Sequence, residues 1–110
     1  MSLLINAAAV EQDMLVTVEG EVDVSNAPEL REALDEALTH AAGLANQHVR
    51  IDISQVPYID STGIGVLVGT VHRGEEQGVT VSVERPQRNV ARVLGLLGLN
   101  VELGVRDAAE

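Results

Sequence analysis

The sequence predicts an α/β domain: a mixed, mostly parallel sheet of four to five strands, covered by three or more helices. Three observations carry this expectation. Apolar residues alternate with polar ones in several short runs, they recur at helical spacing in three longer ones, and the two patterns succeed one another along the chain. Such succession favours parallel strands joined by helical crossovers. At 110 residues and 45% apolar content, the chain suits one domain over 1–110, with a core from about 3 to 104 and a frayed end at 106–110. With one Tyr and no Phe or Trp, the core must be aliphatic.

Each element has its own warrant. Leu3-Leu4-Ile5-Asn6-Ala7-Ala8-Ala9-Val10 reads as a first strand; the first basic residue is Arg31, so no basic segment marks the run as a secretory leader. Met14, Val16 and Val18 alternate with Thr17 and Glu19 as a second strand. Asn26 is expected to cap a helix with Glu29 reaching back, and Pro28 fits a first turn. Leu30, Ala33, Leu34, Ala37, Leu38 and Ala41 then form an apolar stripe opposite Arg31, Glu32, Asp35 and Glu36, and Gly43 ends the helix. Residues 42–47 form a loop. Val49, Ile51 and Ile53 alternate as a third strand, and Ile64, Leu67, Val68 and Val71 stripe a second helix that frays at Gly74 and Gly78. Val79, Val81 and Val83 give another strand, stopped by Pro86. Val90, Val93, Leu94 and Leu97 stripe a short third helix stopped by Gly98, leaving room for a last strand at 100–104.

Composition narrows the function. The formal net charge is −10, and all seven basic residues are Arg. That balance disfavours nucleic acid and anionic membranes, whose binding needs cationic side chains, and suits a basic or mixed protein partner. No apolar run approaches the ~20 residues that span a bilayer. The absence of cysteine excludes disulfides, thiolate nucleophiles and Cys-ligated zinc, and fits a cytoplasmic protein.

The most informative stretch is 57–69, where Asp60-Ser61-Thr62-Gly63 stands between a short apolar approach and a helical pattern. A hydroxyl at a helix mouth sits among unpaired backbone N–H groups, which favour an oxygen or an anion. Ser61 can therefore be an N-cap, a nucleophile or a phosphoacceptor, and capping is expected to be shared between Ser61 and Thr62. An aspartic protease signature has the glycine one residue earlier and belongs to nearly all-β enzymes. A serine hydrolase needs a base, and no Gly-x-Ser-x-Gly elbow is present. The three histidines, His40, His48 and His72, read as solvated surface residues. Gly63-x-Gly65-x-x-x-Gly69 is a poor dinucleotide loop, and without Lys there is no Walker-type loop. The three glycines read instead as positions of close packing. Glu19, Glu21 and Asp23 precede the first helix. They serve as helix-terminal charge or as part of a docking face beside Ser61, since both turns follow strands and can open on one edge of the sheet. Their spacing suggests no metal site, and nothing points to a cofactor or to catalysis.

Ile59-Asp60-Ser61-Thr62-Gly63-Ile64-Gly65-Val66-Leu67, with Gly20-Glu21-Val22-Asp23 upstream and Leu96-Leu97-Gly98-Leu99 downstream, resembles the STAS domain family, and within it the stand-alone anti-sigma factor antagonists of bacteria. The likeness runs from about Leu3 to Gly104. It implies a single STAS-type domain that is not an enzyme. It implies that the unphosphorylated protein binds an anti-sigma factor that is also a serine kinase, freeing a sigma factor. Phosphorylation of Ser61, or less readily Thr62, releases it, and a phosphatase restores it. By the same resemblance Asp23, Asp60, Ser61, Thr62, Gly63 and Ile64 form the partner-binding site. The alternative within the family is a scaffold or adaptor subunit of a stress-signalling assembly or a lipid-transport ATPase complex, with Ser61 structural. The oligomeric state is left between monomer and weak dimer.

Overall fold

A computed structural model describes residues 2–107. The expected fraying at 106–110 falls mostly on 108–110, outside the described residues; Arg106 itself forms a parallel bridge with Glu84. Four strands and three helices follow in the order β1 (Leu4–Val10), β2 (Asp13–Glu19), α1 (Ala27–Ala41), β3 (His48–Gln55), α2 (Ser61–Glu76), β4 (Thr80–Glu84) and α3 (Arg88–Leu96). The sheet order is β1-β2-β3-β4. β1 pairs antiparallel with β2, and the other two pairings are parallel. The mixed, mostly parallel sheet is thus as expected.

β1 and β2 are joined by Glu11 and Gln12, both at positive φ (51° and 73°). Two such residues make the mirror-image turn whose twist matches a hairpin, although neither side chain favours it. The turn is braced by the 42–47 loop: Asn46 N donates to the Gln12 carbonyl at 3.3 Å and Asn46 Nδ2 to Asp13 Oδ1 at 2.9 Å.

Strand alternation divides the sheet into two unlike faces. Met14, Val16, Val18, Val49, Ile51, Ile53, Val81 and Val83 are buried on one of them. Leu30, Leu34 and Leu38 of α1, Ile64 and Leu67 of α2, and Val90 and Leu94 of α3 complete this aliphatic core. The opposite face carries a charged network. Arg50 grips Glu84 in a two-point pair, Nε to Oε2 at 3.0 Å and Nη2 to Oε1 at 2.9 Å. His48 Nε2 meets Ser82 Oγ at 2.9 Å, Arg106 approaches Glu84 at 3.7 Å, and Arg85 donates to Asp52. Burial alone would raise the Asp52 and Glu84 carboxyls, but Arg85 together with Ser54 at the first, and Arg50 together with Ser82 and Arg106 at the second, outweigh it and hold each below its ordinary value. Burial pushes the His48 imidazole down, against the pull of Asp13, so this histidine belongs to the fold and not to the solvated surface.

Four further expectations are corrected. No side-chain bond from Asn26 caps α1. The amide is drawn backwards, accepting from Asp23 N at 2.9 Å and donating to the Glu21 carbonyl at 2.8 Å, so it shapes the turn before the helix. α2 does not fray at Gly74, which is buried within it; a Cβ there would stand 2.8 Å from the Val79 carbonyl oxygen and 3.0 Å from a Val81 methyl. The α3 stripe is half used, since Val93 and Leu97 are exposed along with Leu96 and Val101. Residues 101–104 form turns and not a strand. They carry buried Leu103 beneath the sheet's rim, and Val83 N donates to its carbonyl at 3.0 Å.

Two outcomes are expected. Gly74→Ala gains helix propensity worth up to ~1 kcal/mol, but overpacking against backbone costs ~1–3 kcal/mol, so denaturant titration should show a net loss. The Asp52 and Glu84 pairs stabilise the fold fully above the unfolded values of 3.8 and 4.5 and lose that contribution as pH falls through the lowered folded values. Thermal unfolding should therefore decline modestly below about pH 6.5, where unfolded His48 takes up a proton that its buried form resists, and drop further below about pH 4, this second step being less steep in Glu84→Gln.

Candidate functional site

The site is made where the chain leaves β2 and β3. Beyond the regular ladder, Val22 forms an isolated parallel bridge with Ile59. Val22 N donates to the Tyr58 carbonyl at 2.9 Å, and Asp60 N donates to the Val22 carbonyl at 3.1 Å. This clasp brings the Asp23 turn beside the start of α2, as the shared sheet edge implied.

Each residue of Asp60-Ser61-Thr62-Gly63 has a separate duty. Asp60 is extended (φ −93°, ψ −179°) and its Oδ1 accepts from Gly63 N at 3.0 Å, so Asp60 is the N-cap. The expected cap shared by Ser61 and Thr62 is thereby corrected. Ser61 is the first helical residue; both it and Thr62 are exposed, and among the described residues neither hydroxyl is drawn into a hydrogen bond. Their backbone N–H groups lie in the first turn, where no intrahelical acceptor is available. Gly63 is buried, and a Cβ there would come within 2.6 Å of Val22 Cγ1 and 2.7 Å of Ile59 Cγ1. Its missing side chain is what lets α2 start against the clasp. Ile64 is buried beside it in the core. Gly63 and Ile64, expected among the partner contacts, lie beneath the surface that Ser61 and Thr62 present.

Gly65 behaves otherwise. Nothing lies within 4 Å of where its Cβ would stand, so the close packing expected there is absent. It sits one turn beyond Ser61 and leaves the helix surface beside the hydroxyl bare. Gly69 is also not a close-packing position, since a Cβ there would meet only the end of the Arg73 side chain at 2.9 Å.

The Asp23 turn is rigidly wired. Asp23 Oδ1 accepts from Ser25 N at 2.9 Å and from Ser25 Oγ at 2.5 Å. The hydroxyl bond first, then the backbone bond, hold this exposed carboxyl below its ordinary value. Between the two turns lies an open groove of about 310 Å³, lined by Val24, Ala27, Pro28, Arg31, Thr62 and Val66. Val24 is 68% exposed at its rim. Sequence reasoning missed this groove; the available signal was an apolar Val24 amid Asp23, Ser25 and Asn26. On the other flank Tyr58 is half-exposed, and Asn89 Nδ2 of α3 donates to the Pro57 carbonyl at 2.7 Å. The arrangement presents a neutral hydroxyl between two fixed carboxylates, with apolar surface alongside. Among the described residues no histidine is hydrogen-bonded to Ser61, His48 and His72 being engaged by Ser82 and Glu102, and no helix is long and apolar enough to cross a membrane.

Comparison with known proteins places this geometry. The profile of the STAS domain matches residues 5–109. An anti-sigma-B factor antagonist of Bacillus subtilis is 35% identical over 99 residues, covering 90% of this chain and 86% of that protein. The crystal structure of an anti-sigma factor antagonist from Mycobacterium paratuberculosis superposes with a TM-score of 0.81 at 21% identity, over 94% of this chain and 85% of that one. The Bacillus cell fate determinant SpoIIAA in its phosphorylated form superposes with a TM-score of 0.68 at 16% identity, over 96% and 89%. At such identities the structural likeness is one of fold.

The division of duties at the start of α2 has a direct consequence. Asp60→Ala should cost ~1 kcal/mol in chemical denaturation, the usual cost of a lost cap. Ser61→Ala, which removes no cap, should stay within ~0.5 kcal/mol of the parent.

Proposed function

The chain belongs to the STAS domain family, and from that premise we propose that it acts as an anti-sigma factor antagonist switched by phosphorylation of Ser61. In its neutral state the surface of Ser61, Thr62, Asp23 and Asp60, with the groove at Val24, docks on an anti-sigma factor that is also a serine kinase. That docking frees a sigma factor in the bacterial cytoplasm. The kinase then transfers the γ-phosphoryl group of ATP to Ser61 Oγ, with loss of the hydroxyl proton, and the modified protein dissociates. A phosphatase removes the phosphate by hydrolysis and resets the cycle. In this reading the chain is a substrate and ligand of enzymes and not an enzyme itself.

The observation that carries the reading is the freedom of the Ser61 hydroxyl. It is exposed and unbonded, while Asp60 caps the helix and Gly63 holds the clasp. A phosphate adds about −1.5 to −2 charges at neutral pH. The first-turn N–H groups of α2 favour that charge on the protein's own side. Asp60 and Asp23 oppose it on the side that meets the partner. A mismatched charge in an interface costs several kcal/mol, and ~4 kcal/mol weakens binding about a thousandfold. No large rearrangement is required.

Incubation with ATP and the kinase should yield one added phosphate by intact mass, mapped to Ser61 and lost in Ser61→Ala. Ser61→Ala should bind the partner like the parent, whereas Ser61→Asp should bind at least ~100-fold more weakly, the effect of about 3 kcal/mol. Equal binding by Ser61→Asp would sink the charge switch. Stable incorporation into a large assembly without phosphorylation would favour the scaffold reading, and phosphate on Thr62 in Ser61→Ala would move the acceptor by one residue.

A further inference from the structure

The two edges of the sheet are treated differently. The β4 edge is closed by the chain's own final segment: Val83 N donates to Leu103 O at 3.0 Å, Arg106 N to Val83 O at 2.9 Å, and Arg85 N to Arg106 O at 2.7 Å. Among the described residues the β1 edge is open, since β1 pairs there with β2 alone. Edge strands are normally guarded by charge, proline, a bulge or a covering element. Leu4–Val10 carries no charge and no proline, and its register with β2 runs unbroken through seven pairs. This is conspicuous in a chain with seventeen acidic and seven basic residues.

The hairpin fixes which backbone groups face outward. Val10 and Asp13 close the two-residue turn, so they form a hydrogen-bonded pair, and alternation sends the N–H and C=O of Val10, Ala8, Asn6 and Leu4 into β2. Those of Ile5, Ala7 and Ala9 point away from it. These three residues are spaced symmetrically about Ala7, and Ala7 and Ala9 are exposed. We infer that the β1 edge is a self-association surface, pairing antiparallel with β1 of a second copy about a two-fold axis at Ala7.

In that register Ala7 opposes Ala7, Ile5 opposes Ala9, and each pair exchanges both backbone bonds. On the polar face of the sheet Leu4, 67% exposed, covers Val10 of the second copy. Between the two strands only methyl groups meet at the axis, while Ala33, Glu36 and His40 of α1 line the groove on the helix side of Ala7. On the helix face Glu36 beside Ala7 adds like charge that limits the affinity, whereas on the polar face the nearest acids stay apart despite the overall charge of −10. Glu19 pairs with Leu4, and Asp13 with Val10. In the dimer Glu19 lies three strand spacings, about 14 Å, from Asp13 of the second copy. That exceeds the ~8 Å screening length at physiological ionic strength. An interface confined to one strand edge falls among small, weak interfaces, so a reversible dimer is expected. No residue of the Ser61 site lies in β1, and the inference does not depend on phosphorylation.

Sedimentation velocity over a concentration series tests it on the full chain. The parent should shift from monomer toward dimer between about 10 μM and 1 mM, as a weak interface does. Ala7→Pro removes an outward N–H that β2 does not use, as edge prolines do, and should weaken dimerisation at least tenfold with the circular dichroism unchanged. Should that variant misfold, a single cysteine decides in a chain that otherwise has none. Opposed strand residues lie ~5.5 Å apart, within disulfide range, so Ala7→Cys should oxidise to a covalent dimer at least tenfold faster than Ala45→Cys on the exposed loop. A parent that stays monomeric at 1 mM, a dimer indifferent to Ala7→Pro, or equal oxidation of the two cysteine variants would each overturn the inference. The monomeric result would leave the edge to a strand of another protein.

Discussion

Everything at the candidate site depends on one short pairing, the bridge of Val22 with Ile59. The parallel ladder of β2 and β3 has already shifted register between Thr17 and Glu19 and ended at the Glu19–Gln55 pair. Gly20 N still reaches Gln55 O at 3.1 Å, and Val22 then resumes pairing for a single residue. That resumption holds two loops together which would otherwise diverge with the twist of the sheet. It also forces Asp60 to remain extended until the helix begins, which decides where the cap falls. Gly63 is the mirror of the same constraint, because only a residue without Cβ fits over both paired side chains.

Around that clasp the structure separates stability from signalling by single residues. Asp60 caps the helix and Gly63 faces the fold; Ser61, Thr62 and Gly65 face outward. A covalent change on Ser61 therefore alters the surface without disturbing the cap, the clasp or the core. The Asp23 turn is similarly insulated. Its carboxylate is fixed by Ser25 and its backbone by Asn26, so it presents a defined charge instead of a mobile one. In the proposed switch, fixed groups on both sides of a free hydroxyl let the charge state of the surface, and not its shape, carry the information.

Much of this was legible in the sequence, for identifiable reasons. Val16, Val18, Ile51 and Ile53 alternate cleanly because only one face of the sheet is apolar, and the α1 stripe is clear because that helix buries one side. The family motif marked the start of α2. What escaped was decided by contacts distant along the chain. Asp60, Ser61 and Thr62 are all capping residues by type, and the choice among them rests on the bridge to Val22. Asn26 looked like a cap because Glu29 follows it, but the nearby Asp23 N–H and Glu21 carbonyl claim its amide. Gly63 and Gly65 look alike in sequence, yet one meets Val22 and Ile59 and the other meets open space. His48 reads as a surface residue in sequence because nothing local reveals that Ser82 and Asp13 lie beside it. Residues 100–104 had strand composition, but Gly104 at φ 56° turns the chain and only Arg106 regains the sheet.

The placement of Tyr58 has an optical consequence. It is the chain's one aromatic side chain, it stands three residues before Ser61, and it is 49% exposed. Near-ultraviolet absorbance, circular dichroism and intrinsic emission of the protein thus all arise from a single chromophore at the rim of the site. A partner closing over that rim changes the chromophore's environment, whereas events in the aliphatic core pass unseen at those wavelengths. The protein carries its own reporter, without a dye or a label, on the surface where occupancy matters.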